Sequence, residues 1–441
     1  MLRRFSVMGL ILILMLVTFV ACSNSADEGN QPATNDKGTA EPAPKKEERT
    51  KLVFWDKSEY VKTYNTLNKA RVEQFGKENN VDVEYVAIPP GDVKTKMLAA
   101  IEAGNPPDLL LADDFVAKQF IVNDQLVEVS DILDAIEFRE DSLVYAEATA
   151  GWYEVPAYHA PNVMYVRKDK LEEFNLQPPK TWEDVRNFAR AVTDPKSNFY
   201  GLGFQAGTGA DANGRIANLI NTHGADLVDK DGNVVVNNPK ALEALKFEAS
   251  FFEEGLVPPG AITGDDSWNN NAYLTGTVGI AFNASSIQAA MRDGKPELLE
   301  NTLVLPWPAG PERQLGSGGG TAFVIFKEGG NVENAKKFIH YFFEPEYYQN
   351  LIEQMAGLSI PTVEGYEDTE FWSSEEMKGW FGSTKNIIPL GHPGPADARA
   401  SQVVSENILA KAVQEIVINK MDPQKALDYI EKEYKRVYEG K

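Results

Sequence analysis

Apolar and polar positions change period several times along the chain, and each change marks the edge of a short element. Lys51 to Trp55 is a β-type run, and Tyr60 to Asn79 follows with helical spacing at Leu67, Ala70, Val72 and Phe75. Val81 to Ile88 alternates with the two-residue period of a strand; a helix over Asp92 to Ala103, a Gly-Asn-Pro-Pro break and the apolar strand Asp108 to Ala112 come next. This β-α-β-α-β order predicts a parallel sheet covered on both faces. Val163 to Val166, Tyr200 to Phe204 and Val278 to Phe282 predict a second sheet, interleaved with helices over Trp182 to Val192 and Pro239 to Glu254. Thr321 to Phe326 and a helix over Glu333 to Phe343 read as a return to the first body. Beyond them the chain is mainly helical, and Asp422 with Pro423 gives the closing helix an N-cap and a first-turn proline. The pattern as a whole predicts an α/β protein with two lobes.

The N-terminus changes the picture from a plain globular chain to an exported one. Arg3 and Arg4 precede an apolar run, Val7 to Ala21, that is short for a permanent membrane span and has the form of a signal segment, 1–21. The run ends in Phe19-Val20-Ala21-Cys22, and Cys22 is the single cysteine, so no internal disulfide can form. A cysteine after a small residue at the end of such a run resembles a bacterial lipobox, which implies lipidation at Cys22 and a palmitate-type membrane anchor. The alternative is ordinary cleavage near Ala21 with a free thiol. Residues 22–50 are almost wholly Ser, Asn, Asp, Gly, Pro, Ala, Glu and Lys, too polar to bury a core, and predict a flexible tether.

The formal net charge of −22 becomes about −24 once the signal is removed, which opposes binding to nucleic acid and disfavours polyanionic ligands. The four histidines, at 159, 223, 340 and 392, share no metal-ligand spacing, and neither a Gly-x-Ser-x-Gly elbow nor a phosphate-cradling Gly-Lys-Ser/Thr loop occurs. Asp229 to Asn233 begins like a calcium loop but lacks its closing Glu and reads as a hairpin turn. No cofactor or metal is expected.

Several segments resemble the extracellular solute-binding proteins of sugar import systems, the family that includes maltose-binding protein. Asn105-Pro106-Pro107-Asp108 is similar to that family's strand entry, Val163 to Leu171 to its strand and turn, and Pro178-Pro179-Lys180-Thr181-Trp182-Glu183-Asp184-Val185 to its helix entry. Thr275 to Asn283, Leu305 to Pro308 and Gly316 to Gly320 resemble later segments in the same order; Arg167 departs from the usual Asn at a structural position. The resemblance implies a periplasmic-binding-protein-like type II fold, with 51–157 and 322–357 as lobe 1 and 158–321 and 358–441 as lobe 2. It further implies an extracytoplasmic, lipid-anchored monomer that captures a carbohydrate, an oligosaccharide above all, and passes it to the permease of an ABC importer.

Sugars present apolar C–H faces and a rim of hydroxyls, so their receptors combine aromatic plates with carboxylates and amides. Trp55, Asp56 and Lys57 directly follow the first strand, and Asp113 and Asp114 follow the third, the places where ligands sit in open α/β sheets. By the resemblance, both groups match parts of the family's site. Tyr158 and His159 fall where the chain crosses between lobes, His159 being equally a satisfied hinge imidazole. Trp268, in a polar stretch, reads as a stacking plate, and Asn283 ends the strand below it. Trp307 and Gly319 belong to the second crossing, where a hinge role competes with ligand contact, and Trp372 is either another plate or core. Trp182, behind its Thr181 N-cap, is expected in the core. The rival class is a glycoside hydrolase; adjacent Asp113 and Asp114 argue against it, since neighbours seldom flank one bond from opposite sides. A non-sugar solute, such as a peptide or polyamine, is the remaining alternative.

Overall fold

The computed structural model describes residues 49–440 apart from Tyr60, Val61, Thr149, Ala150, Ala356 to Leu358, Glu375, Glu376, Pro389 and Ala396. The expected signal segment, Cys22 and nearly all of the tether lie outside the described residues. The first elements follow the sequence pattern: β1 (Thr50–Lys57), α1 (Lys62–Glu78), β2 (Val81–Ile88), α2 (Val93–Glu102) and β3 (Leu109–Asp113). β1 pairs in parallel with both β2 and β3. Alternation in β1 sends Leu52 and Phe54 into one apolar cluster, with Tyr64, Val72 and Phe75 of α1, and Trp55 toward the other, with Val93 and Met97 of α2. The sheet is therefore covered on both faces, as its period predicts.

The next strand organises the molecule. β4 (Val155–Arg167) is 13 residues long and changes neighbours halfway. Further elements are α3 (Trp182–Val192), β5 (Tyr200–Leu202), α4 (Ala210–Thr222), α5 (Pro239–Glu253), α6 (Trp268–Leu274), β6 (Val278–Asn283), β7 (Thr302–Leu305), β8 (Ser317–Ile325), α7 (Val332–Phe342) and β9 (Ile360–Pro361). From Val155 to Asn162, β4 pairs antiparallel with β8, which itself pairs with β3; from Val163 onward β4 pairs with β6 and β7. The strand order is β2-β1-β3-β8-β4-β6-β5, with β7 and β9 also on β4. The two expected sheets form, and they are joined into one order because β4 is long enough to belong to both.

At the crossing the backbones approach closely. Gly318 faces Pro161, and a Cβ there would lie 2.7 Å from Pro161 Cα and 3.0 Å from Ala160 O. His159 pairs with Gly320 on one side and Ile360 on the other, so three crossing segments meet at one residue.

The second half has its own apolar cluster, built on Trp182, Phe204, Phe282 and Trp307 and completed by α8 (Ala398–Ser405), α9 (Ile408–Asn419) and α10 (Pro423–Glu439). Thr181 and Asp184 form a reciprocal capping box that starts α3, an arrangement worth about 1 kcal/mol, and Trp182 behind it stacks on Phe282 at 5.3 Å. Asp422 caps α10 by accepting from Gln424 N at 2.9 Å. The hairpin expected at Asp229 forms, with Val228 bridging Val234 and the Asp229 carboxylate accepting from the backbone N–H groups of Asp231 and Asn233. Among the described residues no helix is long and apolar enough to cross a membrane.

Because Gly318 has backbone rather than flexible side chain against it, Gly318→Ala is expected to destabilise the protein by roughly 1–3 kcal/mol while leaving its circular dichroism unchanged. Chemical denaturation measures this; an unchanged midpoint would show that the strands can part at the crossing without cost.

Candidate functional site

At the carboxyl end of β1 the two-residue period separates neighbours. Asp56 points to the inner face and is fully buried, accepting from Tyr64 Oη at 3.0 Å, Asn68 Nδ2 at 2.7 Å and Tyr85 Oη at 2.6 Å. Burial raises its carboxyl to about 7 despite those three donors. Lys57 points the other way and reaches Asp113 Oδ1 at 2.5 Å, Glu59 Oε1 at 2.8 Å and Thr321 Oγ1 at 3.3 Å. Burial opposes its charge, but the carboxylates of Asp113 and Glu59 outweigh it and hold the ammonium above its usual pKa. Tyr158 on β4 donates to Glu59 Oε1 at 2.9 Å, so the strand that joins the halves is hydrogen-bonded to the lysine's partner.

A second ionic group stands beside this one. Lys118 Nζ lies 3.3 Å from Asp114 Oδ2 and 3.1 Å from Glu154 Oε2, the last residue before β4. Burial lifts Glu154 to about 7 even against the Lys118 ammonium. Gly319 is close by, since a Cβ there would lie 3.8 Å from Asp114 Oδ1. His159 is buried at the strand crossing, and burial lowers its imidazole to about 4.

The second half contributes a small cleft lined by Asn162, Phe204, Gln205, Asp211, Arg215, Phe282, Asn283 and Trp307. Its polar wall is a network of amides around one carboxylate. Asn269 Nδ2 and Asn283 Nδ2 donate to Asp211 Oδ2 at 3.1 and 3.3 Å, and Asn283 also donates to Asn270 and accepts from Ser286. Asp266 accepts from the backbone N–H groups of Ala210 and Asp211, both at 3.1 Å, and so fixes the start of α4. Burial, and then the charge of Asp266, raise Asp211 to about 6. Arg215 is already committed, to Glu248 Oε1 at 2.5 Å with both side chains buried.

Lys57, Asp113, Asp114, Tyr158 and Gly319 thus gather near the crossing on one side, and Asn283 and Trp307 line the cleft on the other. Two expected site residues, Asp56 and Trp372, are turned into the interior, while Trp55 and Trp268 stay part-exposed. Asp56 faces the interior, because its neighbour Lys57 takes the outward position. Trp55 is half-buried against the α2 side of the sheet. Trp372 is 1% exposed and meets Phe371 and Phe381 edge-on, which settles the choice between plate and core in favour of core. Trp268 is half-buried, and a Cβ on Gly264 would lie 2.6 Å from its Cγ, so it packs on the loop before α6. Glu59, Gln205, Asp211 and Thr321 are the residues that sequence reading misses. Gln205 and Asp211 follow the strand Tyr200–Leu202, and the strand-end rule used for the first half points to them when applied to the second.

Two α/β halves are thus joined by one shared strand, the architecture of a two-lobed binding protein. The chain belongs to the family of bacterial extracellular solute-binding proteins, whose model matches residues 58–349. It is 21% identical over 389 residues to the arabinooligosaccharide-binding protein of Bacillus subtilis, covering 83% of this chain and 82% of that protein. In fold it is similar to the sugar-binding protein MalE of Xanthomonas citri, with a TM-score of 0.75, 17% identity and coverage of 89% and 98% of the two chains. The maltose-bound MalE3 of T. maritima is alike at a TM-score of 0.71 and 20% identity, over 88% and 99% of the two chains.

The raised carboxyl of Asp56 has a consequence for stability. Between the ordinary carboxyl value near ~4 and about 7 the folded chain holds a proton that the unfolded chain has lost, so stability falls as pH rises through that window. Asp56→Asn lacks this component, and its melting temperature is expected to gain on the wild type from pH 4 to pH 8. A difference that stays constant over that range would show that Asp56 titrates normally.

Proposed function

We propose that this receptor captures a carbohydrate, an oligosaccharide above all, in the cleft between lobe 1 (51–157 and 322–357) and lobe 2 (158–321 and 358–441). It then presents the loaded form to the permease of an ABC importer. The observation that carries this reading is the amide and carboxylate wall of Asn283, Gln205 and Asp211 set beside the aromatic rings of Phe282 and Trp307. Such a surface matches a ligand that offers hydroxyls and C–H faces together. The named relatives support the same chemistry, being arabinooligosaccharide-binding, sugar-binding and maltose-bound proteins. Both proposed lobe boundaries near the middle of the chain fall inside β4 and β8, so the hinge is made of paired strands. The ligand favours closure because only the closed form touches it from both sides.

Cys22 carries the lipid that holds a monomeric receptor to the outer face of the membrane, with residues 22–50 as the tether. Supporting this is the apolar run that ends at Ala21 and the polar sequence that follows it. In cells, Cys22→Ser is expected to lose palmitate labelling and move from the membrane fraction to the soluble one; continued labelling would exclude Cys22 as the modified residue.

The ligand class is tested by a thermal-shift screen of residues 50–441 against mono- and oligosaccharides, with peptides and polyamines in the same plate. A sugar is expected to raise the melting temperature in proportion to the logarithm of its concentration. A shift with peptides or polyamines alone would replace the carbohydrate and keep the receptor.

A further inference from the structure

The cations around the cleft are each held by carboxylates of the protein. Lys57 has Asp113 and Glu59, Lys118 has Asp114 and Glu154, and Arg215 has Glu248. Asp211 is different: it lines the cleft, its oxygens are met by the amide donors of Asn269 and Asn283, and among the described residues it has no ion-pair partner. Arg215, on the same helix, is turned to Glu248, and Asp266 adds a second negative charge from the loop before α6. Trp307 lines the same cleft, is 3% exposed, and has an indole N–H with no acceptor among the described residues, as have the core indoles of Trp182, Trp372 and Trp380; of these only Trp307 lines the cleft.

We propose that Asp211 selects ligands by charge, so that the cleft admits sugars bearing a protonated amine in preference to neutral ones and excludes anionic ones such as uronates. This deepens the carbohydrate reading and rests on it. An ammonium group on the ligand donates to Asp211 as a charge-assisted bond, while a ring or hydroxyl oxygen accepts from the Trp307 indole. A carboxylate in the same place meets Asp211 and Asp266 with no cation free of a carboxylate partner to offset them, in a setting where water screens little. Burial, and then Asp266, make the Asp211 charge costly in the unliganded protein, although Asn269, the Arg215 guanidinium and Gln205 favour it.

The test has a ligand arm and a ligand-free arm. Wild type and Asp211→Asn are screened against glucosamine, glucose and glucuronate, the galactose equivalents, and trimers of each, with spermidine and succinate alongside. The wild type is expected to bind an amino sugar about tenfold more tightly than its neutral counterpart, a difference of ~1.4 kcal/mol, and to leave uronates unbound. In Asp211→Asn the ratio of amino to neutral sugar is expected to fall to near one. Equal or tighter binding of a uronate or succinate by the wild type overturns the proposal. If spermidine shifts the wild type and no sugar does, the carbohydrate reading fails while the charge selectivity stands. Without ligand, Asp211→Asn is expected to melt above the wild type at pH 8, the gap closing toward pH 4 where Asp211 is protonated. A variant that melts below the wild type at pH 8 assigns Asp211 to the fold and overturns the proposal.

Discussion

A single strand carries both halves of this protein. β4 has β8 and β9 beside it up to Asn162 and β6 and β7 beside it from Val163 on, so the same backbone serves as a central strand in two different neighbourhoods. Everything near the cleft takes its position from that arrangement. Tyr158 holds Glu59, Glu59 holds Lys57, and Asn162 lines the facing wall; the residues of β4 lie only a few positions apart yet reach into opposite lobes. Gly318 in β8 makes this possible, because a side chain there would force the two strands apart where they must lie closest.

The two walls solve the problem of buried polarity differently. In the first lobe, ammonium and carboxylate groups are matched in sets, each cation answered by two acids, and desolvation is offset by the pairing. In the second, the polar groups are mostly neutral amides that satisfy each other around one carboxylate. The first wall is thus built from fixed charges and the second from a neutral amide network around Asp211, although the first is where the sequence draws the eye.

Local signals were legible along the chain, and distant pairings were not. The Thr181-Trp182 helix start reads directly because a capping box involves residues three apart, and the β1-α1-β2 unit reads because its periodicities are self-contained. The continuity of the sheet was invisible, since it depends on β8 finding β4 across half the chain. Adjacent residues on a strand cannot both face a cleft, so the period of β1 already forbade Asp56 and Lys57 from sharing that role. Trp372 shows the opposite difficulty: a large aromatic in a polar stretch has no local pattern to say which side it buries, and only the packing of Phe371 and Phe381 around it does.

The long reach of the pairing also sets a clock. Asp113 waits for Thr321 and His159 for Gly320, so the first half of the sheet cannot join β4 until nearly three quarters of the polypeptide has been made. Topologies dominated by such distant contacts fold slowly, because loop closure must precede the contacts that reward it. Until β8 is in place, β3 and β4 each present an unpaired edge, so the strand that later unites the two lobes is also the last in the first half to find its neighbour.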